Sequence, residues 1–397
     1  MHIGLEATTL RAPRLGGVWR YTDSLIRALG RRDDPHRYSL LFVNALKPWA
    51  REPAPRISSR AMRLVEVTST SNFLFTFVAP FLPPAVGRLA VESFVGRVDL
   101  FHSINAVLLA QREGRRVVTV QDLTCLRFPR FHPWSRRVLF GLTVRRAARL
   151  ADAIIVPSIA TERDLAARFP SAAGKTHVVP LAPSERFAPL PPEQSLPVVR
   201  RYGLAPGGYL LFVGNVEPRK NLEALVDAYG RMRTASRLAP VLAIAGGQGW
   251  KNHPIHRMAT ESPVAADVRF LGHVPDADLP ALVNGALAFV YPSLYEGFGL
   301  PPLEAMACGT PVLTSNRSSL PEVVGDAALL VDPDDRGQLA DALARIAGDA
   351  ALRADLRERG MQQARRYSWD ETARLTVKVY ESLEVRDPLT ARKNRSS

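Results

Sequence analysis

The feature that most constrains this chain is a series of short, mainly apolar runs interleaved with segments of helical periodicity. In the first half the runs are Leu40–Val43, Val98–Phe101, Val117–Val120 and Ala153–Val156, with helical patterns over Tyr21–Leu29 and Trp134–Leu150. In the second half Tyr209–Val213, Val241–Ala245, Val268–Leu271, Leu287–Val290, Val312–Thr314 and Ala328–Val331 alternate with helical patterns at Asn221–Met232, Leu279–Asn284, Leu303–Ala307 and Gln338–Ile346. Strands that are apolar on both faces belong to parallel sheets covered by helices on each side. At 397 residues the chain exceeds what one core sustains, so two doubly wound α/β domains are expected. Pro180, Pro183, Pro189, Pro191, Pro192, Pro197 and Pro206 crowd one stretch, where fixed φ angles and missing N–H donors discourage continuous helix. The expected division is a first domain over 1–185, a linker over 186–206 and a second domain over 207–368. Ligands of such sheets sit at the carboxyl ends of the strands, so two facing sheets make a cleft.

Composition narrows the classes. Two cysteines, Cys125 and Cys308, argue against a disulfide scaffold and a structural zinc site, and point to a reducing, cytoplasmic setting. No run of 18 apolar residues and no signal-peptide pattern at the amino terminus is present, so the chain is expected neither to be exported nor to span a membrane. The net charge of +14 lies wholly in residues 1–200, which hold 29 Lys and Arg against 15 Asp and Glu. A basic half beside a neutral one suits an anionic partner: nucleic acid, anionic lipid or a phosphorylated substrate. The helical pattern Trp134–Leu150 carries Arg136, Arg137, Arg145, Arg146 and Arg149, with Val138, Leu142 and Leu150 expected to face the core. These arginines could meet anionic headgroups or a lipid diphosphate. The apolar run Phe73–Leu82 reads either as core or as a lid or membrane-dipping loop.

The chemistry-bearing block is YPSLYEGFGLPPLEAMACGTPV, from Tyr291. A strand ends near Tyr291, a glycine-punctuated loop follows, and Pro301 and Pro302 suit the first turn of a helix. Gly297 and Gly299 allow backbone N–H groups to approach an anion. Glu296 and Glu304, eight residues apart, can accept hydrogen bonds from sugar hydroxyls, though Glu304 alone also reads as an ordinary first-turn glutamate.

This block resembles the retaining, nucleotide-sugar-dependent glycosyltransferases of family 4, whose architecture is the two-domain GT-B fold, and within them the mannosyltransferase-like members. The resemblance implies that Glu296 contacts the donor sugar, Glu304 holds the nucleotide ribose, and Phe298, Gly299 and Leu300 lie along sugar and diphosphate. It continues through Ser315–Val323 and Gly325-Asp326-Ala327. In VGNVEPRKNLEALVDAY, which holds Gly214 as a further substrate-binding candidate, Arg219 and Lys220 occupy a strand-to-helix turn. Two cations there suit a leaving diphosphate, although a solvated surface turn fits them too; the resemblance implies that they grip the diphosphate. Asn221 is placed to cap the next helix, and Gly246–Trp250 fits the same subgroup.

At the amino terminus Gly16 and Gly17 are implied to approach the donor, and Trp19, a departure from the family pattern, is expected to narrow the acceptor side of the pocket. Gln121-Asp122 stands where relatives carry His-Asp; an amide can bind a sugar hydroxyl but cannot titrate near neutrality. His102 reads either as a cleft residue or as a structural histidine. The final helix, Trp369–Glu384, is implied to cross back to the first domain, followed by the basic tail Arg392–Ser397, so that 369–397 forms a fourth segment.

The resulting expectation is a metal-independent, retaining transfer of a hexosyl unit from a nucleotide sugar, with no cofactor. The subgroup implies a GDP-linked mannose or 6-deoxyhexose and a lipid-linked or oligosaccharide acceptor of O-antigen or exopolysaccharide synthesis. The setting is cytoplasmic, peripheral on the inner face of the plasma membrane through the basic first domain. A UDP-sugar enzyme of the same fold and a GT-B epimerase are the alternatives; a nucleic-acid binder finds no recognition motif to support it.

Overall fold

The computed structural model describes residues 1–11, 16–45, 61–69, 90–235, 240–247, 255, 257 and 261–384. The run Phe73–Leu82, the segment 248–250 and the basic tail lie outside the described residues. Two all-parallel sheets organise the molecule. The first contains β1 (His2–Glu6), β2 (Arg37–Ala45), β3 (Met62–Ser69), β4 (Leu100–Ser103), β5 (Arg115–Thr119), β6 (Ala153–Val156) and β7 (Thr176–Val178), in the order β3-β2-β1-β4-β5-β6-β7. The second contains β8 (Tyr209–Val213), β9 (Val241–Ala245), β10 (Val268–Gly272), β11 (Ala288–Tyr291), β12 (Val312–Ser315) and β13 (Leu329–Val331), in the order β10-β9-β8-β11-β12-β13. Strand order reverses beside β1 and β4 in one sheet and beside β8 and β11 in the other, which are the switch points where such sheets bind ligands. This is the doubly wound, two-domain GT-B arrangement.

The central strands are buried throughout, as their apolar runs require: β6, β11 and β12 have no exposed residue. The edge strand β3 is different. Its sequence MRLVEVTS mixes charge with apolar residues, and Leu64 is 38% exposed, so it carries no apolar run to announce it.

The Pro-rich stretch departs from the expected linker. Pro192–Arg201 is a helix with Pro192 in its first turn, where a missing N–H costs nothing, and with Pro197 tolerated inside. It packs on the helix Leu279–Gly285 of the second domain, and Gly285 lies so close to Val199 and Tyr209 that a side chain there would collide with both.

The helix Trp134–Leu150 also inverts its expected facing. It buries Thr143, Val144, Ala147 and Ala148, a narrow stripe whose apolar members share a core cluster with Val118, Ile154 and Val156 of the sheet, while Val138, Leu142 and Leu150 are about half exposed and Trp134 is 74% exposed. The helix Trp369–Ser382, capped by Ser368 accepting from the Glu371 N–H at 3.1 Å, lies against the helix Gly17–Arg31 of the first domain. Among the described residues no helix is long and apolar enough to cross a membrane.

Candidate active site

A cavity of about 340 Å³ opens between the carboxyl ends of the two sheets. Its lining includes Gly16, Gly17, Gln121 and Asp122 from the first domain, and Gly214, Arg219, Lys220, Glu296, Phe298, Gly299, Leu300 and Glu304 from the second. The fold therefore gathers the catalytic and substrate-binding candidates read from the sequence, apart from His102. That histidine is fully buried in β4, with Nδ1 2.7 Å from the Tyr380 hydroxyl and Nε2 2.8 Å from Thr119 Oγ1. Burial pushes its pKa down to about 3, so it is a neutral core group that ties the final helix to the sheet.

The loop after β11 is held from both sides. Gly297 packs directly on the first domain: a Cβ there would lie 2.0 Å from the Gln121 carbonyl oxygen, so only glycine fits. The Gly297 carbonyl accepts hydrogen bonds from Ser158 Oγ at 2.7 Å and Thr161 Oγ1 at 3.1 Å. From the second domain Ser318 Oγ donates to the Glu296 carbonyl and Ser319 Oγ to the Phe298 carbonyl, both at 2.6 Å. Gly299, at φ +118°, turns the chain into the helix Leu300–Ala307, which carries Glu304.

Glu296 is buried among donors. Its Oε1 accepts from Lys220 Nζ at 2.6 Å, Ser293 Oγ at 2.6 Å and the Tyr291 hydroxyl at 3.1 Å; its Oε2 lies 2.8 Å from Arg219 Nη1. Burial alone would raise its pKa, but Arg219 and Lys220 outweigh it and hold the carboxyl at about 2. Lys220 is itself lowered, first by burial and then by neighbouring Arg219, against the opposing pull of Glu296. Arg219 also donates to Glu217 Oε1 through Nη2 at 2.7 Å and to the Tyr295 carbonyl through Nη1 at 2.6 Å. Two cations thus share one carboxylate on the cavity wall.

Glu304 is buried as deeply but served differently. Its hydrogen bonds come from Arg20 Nη1, at 3.3 and 3.2 Å to its two oxygens. Burial dominates, and despite Arg20 and Arg186 the pKa rises to about 7. The sequence reading did not place Arg20, Asp276, Ser293 or Tyr291 in the site. Arg20 stands in the same GGVWRY block as Gly16 and Gly17, and a cation in the first turn of a helix, against its dipole, was the available signal. Two expectations move. Trp19 lines a neighbouring hollow beside Trp369 rather than this cavity. Asn221 has a left-handed backbone, and its side chain donates to the Pro333 carbonyl at 2.7 Å instead of capping the helix. Among the described residues the buried amide nitrogen of Gln121, on this wall, has no hydrogen-bond partner. Among the described residues no cluster of His, Cys, Asp or Glu could hold a metal ion.

Comparison with known proteins matches this arrangement. The family described as Glycosyltransferase Family 4 matches residues 15–182, and Glycosyl transferases group 1 matches residues 205–363. The O-antigen chain mannosyltransferase B of Escherichia coli is 36% identical over 284 residues, covering 72% of this chain and 74% of that protein. The GDP-mannose-dependent alpha-(1-6)-phosphatidylinositol monomannoside mannosyltransferase of Mycolicibacterium smegmatis is 28% identical over 346 residues, covering 84% and 79%. Among solved structures, sucrose-phosphate synthase from Thermosynechococcus elongatus superposes with a TM-score of 0.76 at 23% identity, over 96% of this chain and 98% of that one. With both halves matched and a relative of that identity covered over most of its length, this chain is a glycosyltransferase of family 4, group 1, with the GT-B fold.

Proposed function

We propose that the chain transfers a mannosyl or 6-deoxyhexosyl unit from a GDP-sugar to a glycan or lipid-linked saccharide of a surface polysaccharide, with retention and without a metal or other cofactor. The observation that carries this reading is the convergence of Arg219 and Lys220 on Glu296 at the cavity wall. A donor diphosphate competes with that carboxylate for both cations, and Glu296 is then free to accept from a hydroxyl of the sugar. The bond from the anomeric carbon to the diphosphate oxygen breaks, and the acceptor oxygen bonds to the same face of the carbon. The acceptor hydroxyl proton passes to the departing diphosphate. Arg219, Lys220 and the N–H groups at the start of the helix Gly17–Arg31 stabilise the charge that develops. Double displacement needs two carboxyl groups flanking the scissile bond, and with Glu304 assigned to the ribose Glu296 has no such partner, which favours this route. The unpartnered Gln121 nitrogen supplies a hydrogen bond that cannot titrate. The names of the similar proteins support the mannosyl and O-antigen choices.

A panel of GDP, UDP, ADP and dTDP sugars in a thermal-shift assay tests the donor, since a site-specific ligand stabilises by mass action. The largest shift is expected with a GDP-sugar, unchanged by chelator; equal shifts for all would remove the assignment, and a UDP preference would replace it.

The proposal extends to an anionic membrane surface as the place where the acceptor is met. Its support is the charge excess of the first half and the outward face of the helix Trp134–Leu150, where exposed Trp134, Val138 and Leu142 border the same hollow as Arg137, Arg145 and Arg149. Sedimentation with phosphatidylcholine vesicles containing anionic lipid should retain the wild type and lose an Arg137→Glu, Arg145→Glu variant whose thermal shift with donor is intact.

A further inference from the structure

Arg20 comes to the cavity from the opposite domain. It sits in the first turn of the helix Gly17–Arg31, which has no acidic residue there, so the helix dipole works against the cation. What holds it lies across the cleft. Nη1 donates to both oxygens of Glu304, and Nη2 donates to Asp276 Oδ1 at 3.1 Å; the partners are 284 and 256 residues away in sequence. Asp276 in turn accepts from Arg186 Nη2 at 3.2 Å. Arg20, Asp276, Leu300 and Glu304 line both the main cavity and a second hollow of about 260 Å³, so this ion cluster is the partition between them. Among the described residues, Arg20 is the donor Glu304 has, whereas Glu296 has four of its own domain.

We propose that Arg20 is a positioning residue for the nucleotide sugar: reaching across the cleft, it holds the Glu304 carboxylate in the cavity wall, so the ribose subsite is complete only when the two domains are together. This rests on the donor reading above and deepens it, because the second domain alone then cannot form the full donor site.

The charges around Glu304 define the test. Burial raises its pKa most; Arg20 and then Arg186 lower it, Asp276 raises it, and the buried Cys308 thiol lies on its own helix end. Without Arg20, burial and Asp276 gain, Glu304 takes up its proton at higher pH, and a ribose hydroxyl loses an ionised acceptor. Donor KM and kcat are measured from about pH 5.5 to about 9 for the wild type, Arg20→Met, Arg20→Lys, Glu304→Gln and the Arg20→Met, Glu304→Gln double variant. The wild-type donor KM should rise as pH falls through about 7. In Arg20→Met that rise should begin at more alkaline pH, with KM about tenfold higher at neutrality and kcat changed far less. Arg20→Lys should recover part of the loss, because lysine keeps the charge but not the planar fork that serves two carboxylates. Glu304→Gln should be flat with pH, and the double variant no weaker than Glu304→Gln alone. A rise at the same pH in Arg20→Met and wild type, or penalties that add in full, overturns the inference. Unchanged donor KM in Glu304→Gln overturns the ribose role itself, and this inference with it. Should Arg20→Met not fold, Arg20→Lys carries the comparison through a smaller alkaline shift, and its absence is equally decisive.

Discussion

Glu296 and Glu304 stand eight residues apart, line one cavity and are equally buried, yet they are held in opposite charge regimes. Glu296 meets four donors of its own domain, two of them cations, and is held at about 2. Glu304 meets one guanidinium borrowed from the other domain and rises to about 7. The difference teaches that burial alone does not set a carboxylate's state; how far its donors offset that burial does. One group is an anion that holds two buried cations of its own domain in place, and the other depends on how the halves of the molecule meet.

Glu296→Ala breaks the comparison hardest. It leaves Lys220 and Arg219 buried without their shared anion, so a loss of about 3–5 kcal/mol in unfolding free energy is expected, together with loss of transfer. Adding Lys220→Met should restore part of the stability and none of the activity; an unchanged melting temperature in Glu296→Ala would show that the cluster is solvated. Glu304→Ala is milder for the fold, since Arg20 keeps Asp276, but should weaken donor binding or turnover at least about tenfold, about 1.4 kcal/mol. Titration with the preferred donor nucleotide reads this directly.

The smallest effect is a slope. The folded chain keeps a proton on Glu304 that an unfolded glutamate releases near 4.5, so stability falls as pH rises from about 4.5 to about 7, by at most about 1.36 kcal/mol per unit. For Glu296 the sign reverses: its contribution is present above 4.5 and is lost as pH falls toward about 2. Glu304→Gln should flatten the first window and leave the second untouched, as chemical denaturation at several pH values can show. Donor affinity should run against stability in the first window, strengthening as the carboxylate ionises.

Much of this was legible in the sequence where the relevant residues are contiguous. The loop from Tyr291 to Gly309 and the Glu217–Asn221 turn are local motifs whose glycines, prolines and charges each have a local reason, and the buried parallel strands announce themselves by apolar runs. The partnership of Arg20 with Glu304 was not legible, because it is made across 284 residues. His102 illustrates the same limit: a polar residue near a strand end looks like a cleft residue until Thr119 and Tyr380 are seen to satisfy both ring nitrogens. The helix Trp134–Leu150 misled because its large apolar residues are regularly spaced, whereas the face it buries is the one bearing Thr143, Val144, Ala147 and Ala148. Pro192 and Pro197 read as helix breakers although one suits a first turn and the other is tolerated.

The helix Trp369–Ser382 has a consequence for biogenesis. It supplies Tyr380 to His102 and sets Trp369 against Tyr21, with ring centroids 6.3 Å apart, so the amino-terminal sheet leaves the ribosome first but lacks part of its cover until the last of these residues has been made. Translation order and order of completion are therefore opposed, and a nascent chain paused before Trp369 presents an almost finished second domain beside a first one still waiting for its clasp.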